Sequence, residues 1–455
     1  MTGGLLTNPL MLFIAQAVAI IGASQAIGLL TRRIGQPMVI AEVVAGIMLG
    51  PSLLGAAFPE AQAALFPSES MPLLHLFSQI GLIFFMFLIG LELDPDLLRG
   101  RRRSSALISG SSIVVPFALG ALLALYLYPR LSDGRVGEGS FMLFMGVAMS
   151  ITAFPVLARI LTERGMLRSK IGSITIACAA VGDVAAWCIL AFVVSFVRVS
   201  GVADAAWTTL FAGVFIGVMV LVVRPVLARL GRHAASHGGP TRGVVASVFL
   251  LVLASAWTTE LIGIHALFGA FLLGAVMPRD GGWPEALIGR IEDMAVVFLL
   301  PLFFAHSGLH TQFGLLGSLH DWITCALIVA VACAAKFGAT AAAARLTGLT
   351  WRESSAVGIL MNTRGLIELI VLNLGLDLGI ISPLLFTMMV IMVLVTTFMT
   401  TPLLGWAYPP SEVEKERRRT ALGRPALVGG GGGVQRPANP GRETSRSAEA
   451  AASDR

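Results

Sequence analysis

One carboxylate stands alone in an apolar run. Asp183 lies in VGDVAAW, with no ionisable residue three or four positions away on either side. A charge near the centre of a bilayer costs at least about 2.5 kcal/mol even on insertion scales, so its partner has to be an ion, a proton or a group on another helix. The chemistry open to it is the alternate binding of a proton and a cation by the same carboxylate. The plainer alternative is a structural acid permanently paired with Lys336, in a second apolar run, or with Arg364, in a third. Arg364 and Glu368 stand four apart in MNTRGLIELIVLNLG, on one helix face where they can pair with each other, which favours a structural role for that couple.

The segment SITAFPVLARIL carries Pro155, which has no N–H to offer the carbonyl near Ile151 and which disfavours helix at Phe154. Freed carbonyls then appear beside the hydroxyls of Ser150 and Thr152. Interrupted membrane helices are tolerated where they line a cavity, and their exposed oxygens can hold a desolvated cation. A proline kink without function is the alternative. The candidate cation and proton ligands are therefore Asp183, Thr152 and Ser150, and Lys336, Arg364, Glu368 and Asn362 are the charged and polar groups around them. His265 and His306, at or near span ends, are either pH sensors or hydrogen-bonded interface residues. Glu42 either lines a funnel or pairs with a neighbouring helix. The four cysteines, Cys178, Cys188, Cys325 and Cys333, sit in apolar runs without metal-ligand spacing and read as packing residues.

The elements that position these residues follow from composition. The 455 residues are 56% hydrophobic and 13% charged, against about 25% charged in a soluble protein, and the mean hydropathy is +0.84. Fifty glycines and 22 prolines suit packed and interrupted membrane helices better than a disordered soluble chain. Apolar stretches recur, giving about thirteen spans near the ~20 residues that a bilayer requires. The first, Leu10 to Leu30, has no basic segment before it and reads as a span, not a cleaved signal.

Alternate loops are basic: Arg32 and Arg33, Arg99 with Arg101 to Arg103, Arg159 to Lys170, Arg229 to Arg242, Arg279 and Arg290, Arg345 and Arg352. The positive-inside rule places these in the cytoplasm, the N-terminus outside and the C-terminus inside, as an odd span number requires. This distribution argues against nucleic-acid binding despite a net charge of +6. Residues 1–410 form the membrane domain. The glycine- and serine-rich segment 411–455 is expected to be a disordered cytoplasmic tail. No G-x-x-x-x-G-K-[ST] motif supplies a nucleotide engine for primary pumping, and no cofactor is expected.

Seven segments, RIGQPMVIAEVVAGIMLGPSLLG, FMFLIGLELD, SITAFPVLARIL, VGDVAAW, GIHALFGAFLLGAVMP, LLPLFFAHSGLHT and MNTRGLIELIVLNLG, together resemble the monovalent cation:proton antiporters of the Kef and plant cation/proton exchanger type, which share the sodium/hydrogen exchanger fold. They cover Gln36 to Leu374 in one order. The resemblance implies an all-α polytopic membrane protein with inverted repeats, made of spans one to six and eight to thirteen. It also implies a dimerisation layer, a six-helix core with two interrupted helices crossing beside Asp183 and Lys336, a homodimer, and elevator-like movement of the core. Many relatives carry an acid or amide where this chain has Gly182, so Lys336 lacks the acid it would have there.

The reading that follows is a secondary antiporter of the inner (plasma) membrane, exchanging K⁺ or Na⁺ for protons with electroneutral stoichiometry. A cation channel would call for a carbonyl filter or rings of charge, and no TVGYG-like loop is present. An enzyme or receptor would call for a nucleophile and base, or a folded soluble domain, and the sequence offers neither.

Overall fold

The computed structural model describes residues 8–33, 36–92, 102–132, 134–166, 169–198, 202–236, 240–278, 283–409 and 412. The tail from 413 onward, with Arg99, Arg101, Arg168 and Arg279, lies outside the described residues. The described chain is helical, with one isolated bridge between Ser132 and Ile381.

The first half runs through α1 (Pro9–Arg33), α2 (Met38–Leu49), α3 (Met71–Glu92), α4 (Arg102–Leu131), α5 (Glu138–Ser150), α6 (Phe154–Glu163) and α7 (Lys170–Arg198). A linking helix follows: α8 (Val202–Val218) continues through a π turn, Met219–Val223, into α9 (Arg224–Ser236). The second half runs through α10 (Arg242–Ile262), α11 (Ala266–Ala275), α12 (Trp283–Glu292), a π turn over Asp293–Leu299, α13 (Leu300–Leu309), α14 (Leu319–Leu346), α15 (Trp351–Met361), α16 (Leu366–Asp377) and α17 (Pro383–Ala407).

Each half makes the same contacts. α1 packs on α2 as α10 does on α11, α4 on α5 as α14 on α15, α4 on α7 as α14 on α17, and α6 on α7 as α16 on α17. The halves meet through α4 against α14 and through two equivalent crossings, α2 with α13 and α3 with α11. Those two crossings are backbone-close. A Cβ at Gly90 would stand 2.2 Å from the Phe271 oxygen, one at Gly274 2.2 Å from the Phe87 oxygen, and one at Gly46 2.5 Å from the Ala305 oxygen. Only glycine allows helices to approach this closely in a bilayer, where packing has to do what hydrophobicity cannot.

Among the described residues nine helices are long and apolar enough to span a membrane, and the bent pair α15 and α16 makes a tenth. The remaining expected spans are in pieces. One is split between α5 and α6, one is the 10-residue α11, and one is interrupted by the π turn before α13. The outer surface is apolar, with Trp406 84% and Leu221 77% exposed, as contact with lipid requires. The chain is a multi-pass membrane protein.

Candidate functional site

The expected kink at Pro155 is a full break. α5 ends at Ser150, Ile151 to Ala153 run extended, and α6 restarts at Phe154 with Pro155 in its first turn, where the missing N–H would be unpaired in any residue. The second break, Asn362 to Gly365, separates α15 from α16. The two breaks bind each other: the Ala153 N–H donates to the Thr363 carbonyl at 3.0 Å, and the Thr152 hydroxyl donates to the Met361 carbonyl at 3.2 Å. A helix C-terminus and a helix N-terminus from each half thus converge at one crossing.

The crossing is dressed with buried charge. Arg364 donates to the Ala148 carbonyl at 3.1 Å, to the Met149 carbonyl at 2.8 Å and to Glu368 at 2.8 Å, the pair expected from their spacing. Lys336, on α14, donates to the Ser112 carbonyl of α4 at 2.9 Å and also to the Ser150 carbonyl. The last carbonyls of α5 are therefore held by fixed cations, which also complement the negative end of that helix. Ser150 has its carbonyl held by Lys336 and donates its own hydroxyl to Val147 at 2.8 Å.

Asp183 sits midway along α7 and is 2% exposed. Neither carboxylate oxygen has a partner at ordinary hydrogen-bond geometry, and no ion pair joins it to Lys336 or Arg364 among the described residues. The Lys336 charge and a looser backbone hydrogen bond from the Phe154 N–H, at the start of α6, bear on it. Two features of the structure beside Asp183 are the burial of Trp187, not read from the sequence, and the space around Gly182, whose residue type was. Trp187, one turn on, buries an indole N–H that also lacks a partner, although its spacing of four from Asp183 was a signal. Gly182 faces open space, since an added Cβ meets no atom within 4 Å. Unpartnered polar atoms beside unfilled space form a place for water or an ion.

The crossing does not gather every candidate. Asn362 turns its amide nitrogen toward Cys333 Sγ, 3.6 Å away, and lines a cavity of about 390 Å³ between α14, α15 and α17. Glu42 lines a second cavity, of about 340 Å³, with Arg32 and Glu292 toward the arginine-bearing loops and with Val156 and Leu366, from the first turns of α6 and α16, at its deep end. His265 is a helix cap, its ring accepting from the Leu267 N–H at 3.5 Å. His306 is buried at the opposite end of the bundle, against His75 and His310.

Residues 17–407 match the family model described as the transmembrane sodium/hydrogen exchanger. The chain belongs to the sodium/hydrogen exchanger family. Within it, this exchanger-family chain is 44% identical over 404 residues to the Na⁺/H⁺ antiporter NhaS4 of Synechocystis, covering 89% of this chain and 98% of that protein. It is 39% identical to cation/H⁺ antiporter 17 of Arabidopsis thaliana, over 90% of this chain and 50% of the plant protein. It is also 34% identical to K⁺/H⁺ antiporter 1 of Saccharomyces cerevisiae, over 92% of this chain and 49% of the yeast protein. The chain thus spans nearly all of the cyanobacterial relative and about half the length of the plant and yeast ones. The fold is similar to that of the sodium proton antiporter MjNhaP1 of Methanocaldococcus jannaschii, with a TM-score of 0.56 at 14% identity, covering 90% of this chain and 99% of that one. The exchanger fold expected from the sequence segments is the fold observed.

Proposed function

We propose that the protein exchanges a monovalent cation for a proton by alternating access, with Asp183 as the shared site. The observation that carries this reading is a buried carboxylate with no side-chain partner and only a loose backbone N–H on it, next to a crossing of broken helices. A proton satisfies one oxygen by a covalent bond. A desolvated cation satisfies both by charge, helped by the Thr152 hydroxyl, whose lone pairs stay free while its hydrogen points to Met361. Because both ligands need the same carboxylate, binding of one expels the other, and exchange is the outcome.

The cavity that contains Glu42 and Glu292 is the approach from the side of the arginine-bearing loops, taken as cytoplasmic with the N-terminus outside. With two acids to one arginine, its lining favours cations. Lys336 and Arg364, held by carbonyls, keep their positive charges through the cycle. The core then crosses with the same net charge in both directions, and exchange is one-for-one. The relatives' names cover Na⁺ and K⁺, so the substrate class is a monovalent cation. The working unit is a homodimer in the plasma membrane, with the core moving against a dimerising scaffold.

The test is reconstitution of the full chain in liposomes with an opposing Na⁺ or K⁺ gradient and an internal pH dye. Proton movement that needs the cation gradient supports exchange. Cation conductance without proton movement would favour the channel reading.

A further inference from the structure

Asn362 carries an amide oxygen without a partner. The residue follows the last turn of α15 at the second break and is 4% exposed. Its amide nitrogen reaches only Cys333 Sγ, at 3.6 Å, and its Oδ1 reaches no donor. A buried polar atom left unpaired marks a place that a water or a ligand completes. The cavity beside it decides which.

That cavity, about 390 Å³ between α14, α15 and α17, lies within the ~300–1,000 Å³ of small-molecule pockets. Its mouth is on the outer, lipid-facing surface, since Ala330, Ala334 and Phe337 of α14 and Trp406 of α17 all line it and are exposed. The three α14 residues share one helix face, and its two alanines leave open what longer side chains would fill. No carboxylate, lysine, arginine or histidine lines the cavity, so a charged ligand would be buried there without a counter-ion. Water is served little better. It needs about two to four polar partners, and the other polar groups of the wall are engaged or distant. The Thr400 hydroxyl donates to the Thr396 carbonyl at 2.9 Å and accepts from Thr363 at 3.5 Å, and the Cys333 thiol turns to Met399 Sδ. Ser355, seven residues before Asn362, stands about 10 Å away along α15.

The same wall is the back of the second break. α17 holds Thr363 through Thr400 and holds the Arg364 carbonyl through the Thr397 hydroxyl, at 2.6 Å. Thr363 in turn accepts the Ala153 N–H of the first break. Whatever lodges between α14 and α17 therefore bears on the bonds that fix the crossing.

We propose that this cavity binds an uncharged, single-chain molecule that dissolves in the bilayer and ends in a hydroxyl, and that its occupancy slows exchange. The hydroxyl donates to Asn362 Oδ1, the chain runs along the apolar wall toward Trp406, and α17 is fixed against the second break. Binding is independent of the transport reading, whereas the slowing rests on it.

The experiment uses the full chain in liposomes with Cys178, Cys188 and Cys325 replaced by alanine, so that N-ethylmaleimide reads Cys333 on the cavity wall. The probes are 1-octanol and 1-methoxyoctane, which share a chain and of which only the alcohol has a hydrogen to donate. Octanol is expected to slow alkylation at a membrane concentration roughly fivefold lower than the ether, the worth of one hydrogen bond, and the two should converge in Asn362→Leu. Equal potency in the chain with Asn362 intact overturns the proposal and leaves a groove for any lipid chain. Protection by neither overturns it and leaves a cavity for water. That comparison decides even where Asn362→Leu does not fold. Exchange is then followed in the same liposomes, at concentrations that leave protein-free liposomes tight to protons. It should fall in step with the fraction of Cys333 protected, whereas Ala334→Leu, which fills the mouth, should exchange normally and resist octanol. Protection of Cys333 with exchange unslowed overturns the control of exchange. Absence of exchange before any alcohol is added overturns the transport reading instead, and the alkylation result still decides binding.

Discussion

The Lys336 ammonium donates to the Ser150 carbonyl, the final carbonyl of the broken helix α5. The same ammonium holds the Ser112 carbonyl of α4 at 2.9 Å, so one side chain from the second half of the chain joins two helices of the first. With Arg364 on Ala148 and Met149, it satisfies the carbonyls that a broken helix leaves bare in a medium without water.

Lys336→Met keeps the volume and removes the donor. Two buried carbonyls then lose their partner, at about 1–3 kcal/mol each. The expected outcome is a clear fall in the melting temperature in detergent, measured by tryptophan fluorescence. Unchanged melting would mean that Lys336 is not a structural clamp.

Asp183→Asn preserves shape and removes the ionisable group. Exchange is expected to be abolished in liposomes, with the same gel-filtration profile and melting temperature as the wild type. An asparagine variant that still exchanges would remove Asp183 from the mechanism.

Thr152→Val conserves volume and deletes one oxygen from the first break, two residues before the Phe154 N–H that bears on Asp183. Apparent cation affinity should fall several-fold, roughly what one lost hydrogen-bonding group costs, and the maximal rate should change less. The measurement is the cation dependence of dye-reported proton efflux. An identical dependence would reduce Thr152 to its bond with Met361.

Much of the architecture was legible because membrane physics leaves few choices. The long apolar runs and Pro155 located the helices and the first break. The lone Asp183 and the four-residue spacing of Arg364 and Glu368 were legible for the same reason, since a buried charge has to be partnered. The destination of Lys336 was not, because which carbonyl an ammonium reaches depends on how α14 lies on α4 and α5, which no local pattern encodes. The direction of Asn362 was not legible on the same ground: its position in the break is sequence-determined, but the turn of its amide nitrogen toward Cys333 is set by packing. The packing of His75 against His306 joins residues more than two hundred positions apart and left no trace in either segment.

The orientation has a direct test. Single cysteines near Arg102, Lys170 and Arg352, in a chain with its four cysteines replaced, are expected to react only with a membrane-impermeant reagent added from the cytoplasmic side, because those loops carry the positive excess. Reaction from the other side would invert the assignment of the Glu42 cavity as the cytoplasmic approach.

The coupling ratio turns on Gly182. In the proposed cycle each half carries either a cation or a proton on Asp183, and Lys336 and Arg364 keep their charges on their carbonyls, so no net charge would move. The wild-type rate in liposomes with fixed ion gradients should therefore be indifferent to an imposed membrane potential. A second acid changes the count, and the structure has room for one: a Cβ at Gly182 meets nothing within 4 Å. In Gly182→Asp the added carboxylate gives the site a second proton to carry, and a cycle that returns two protons for one cation moves charge. Exchange by that variant is then expected to speed up or slow down with potential according to its sign, where the wild type does not. If the wild type itself follows the potential strongly, and Lys336→Ala no longer does, the second proton travels on the lysine. The carbonyls of Ser112 and Ser150 would then be its resting place for only part of the cycle.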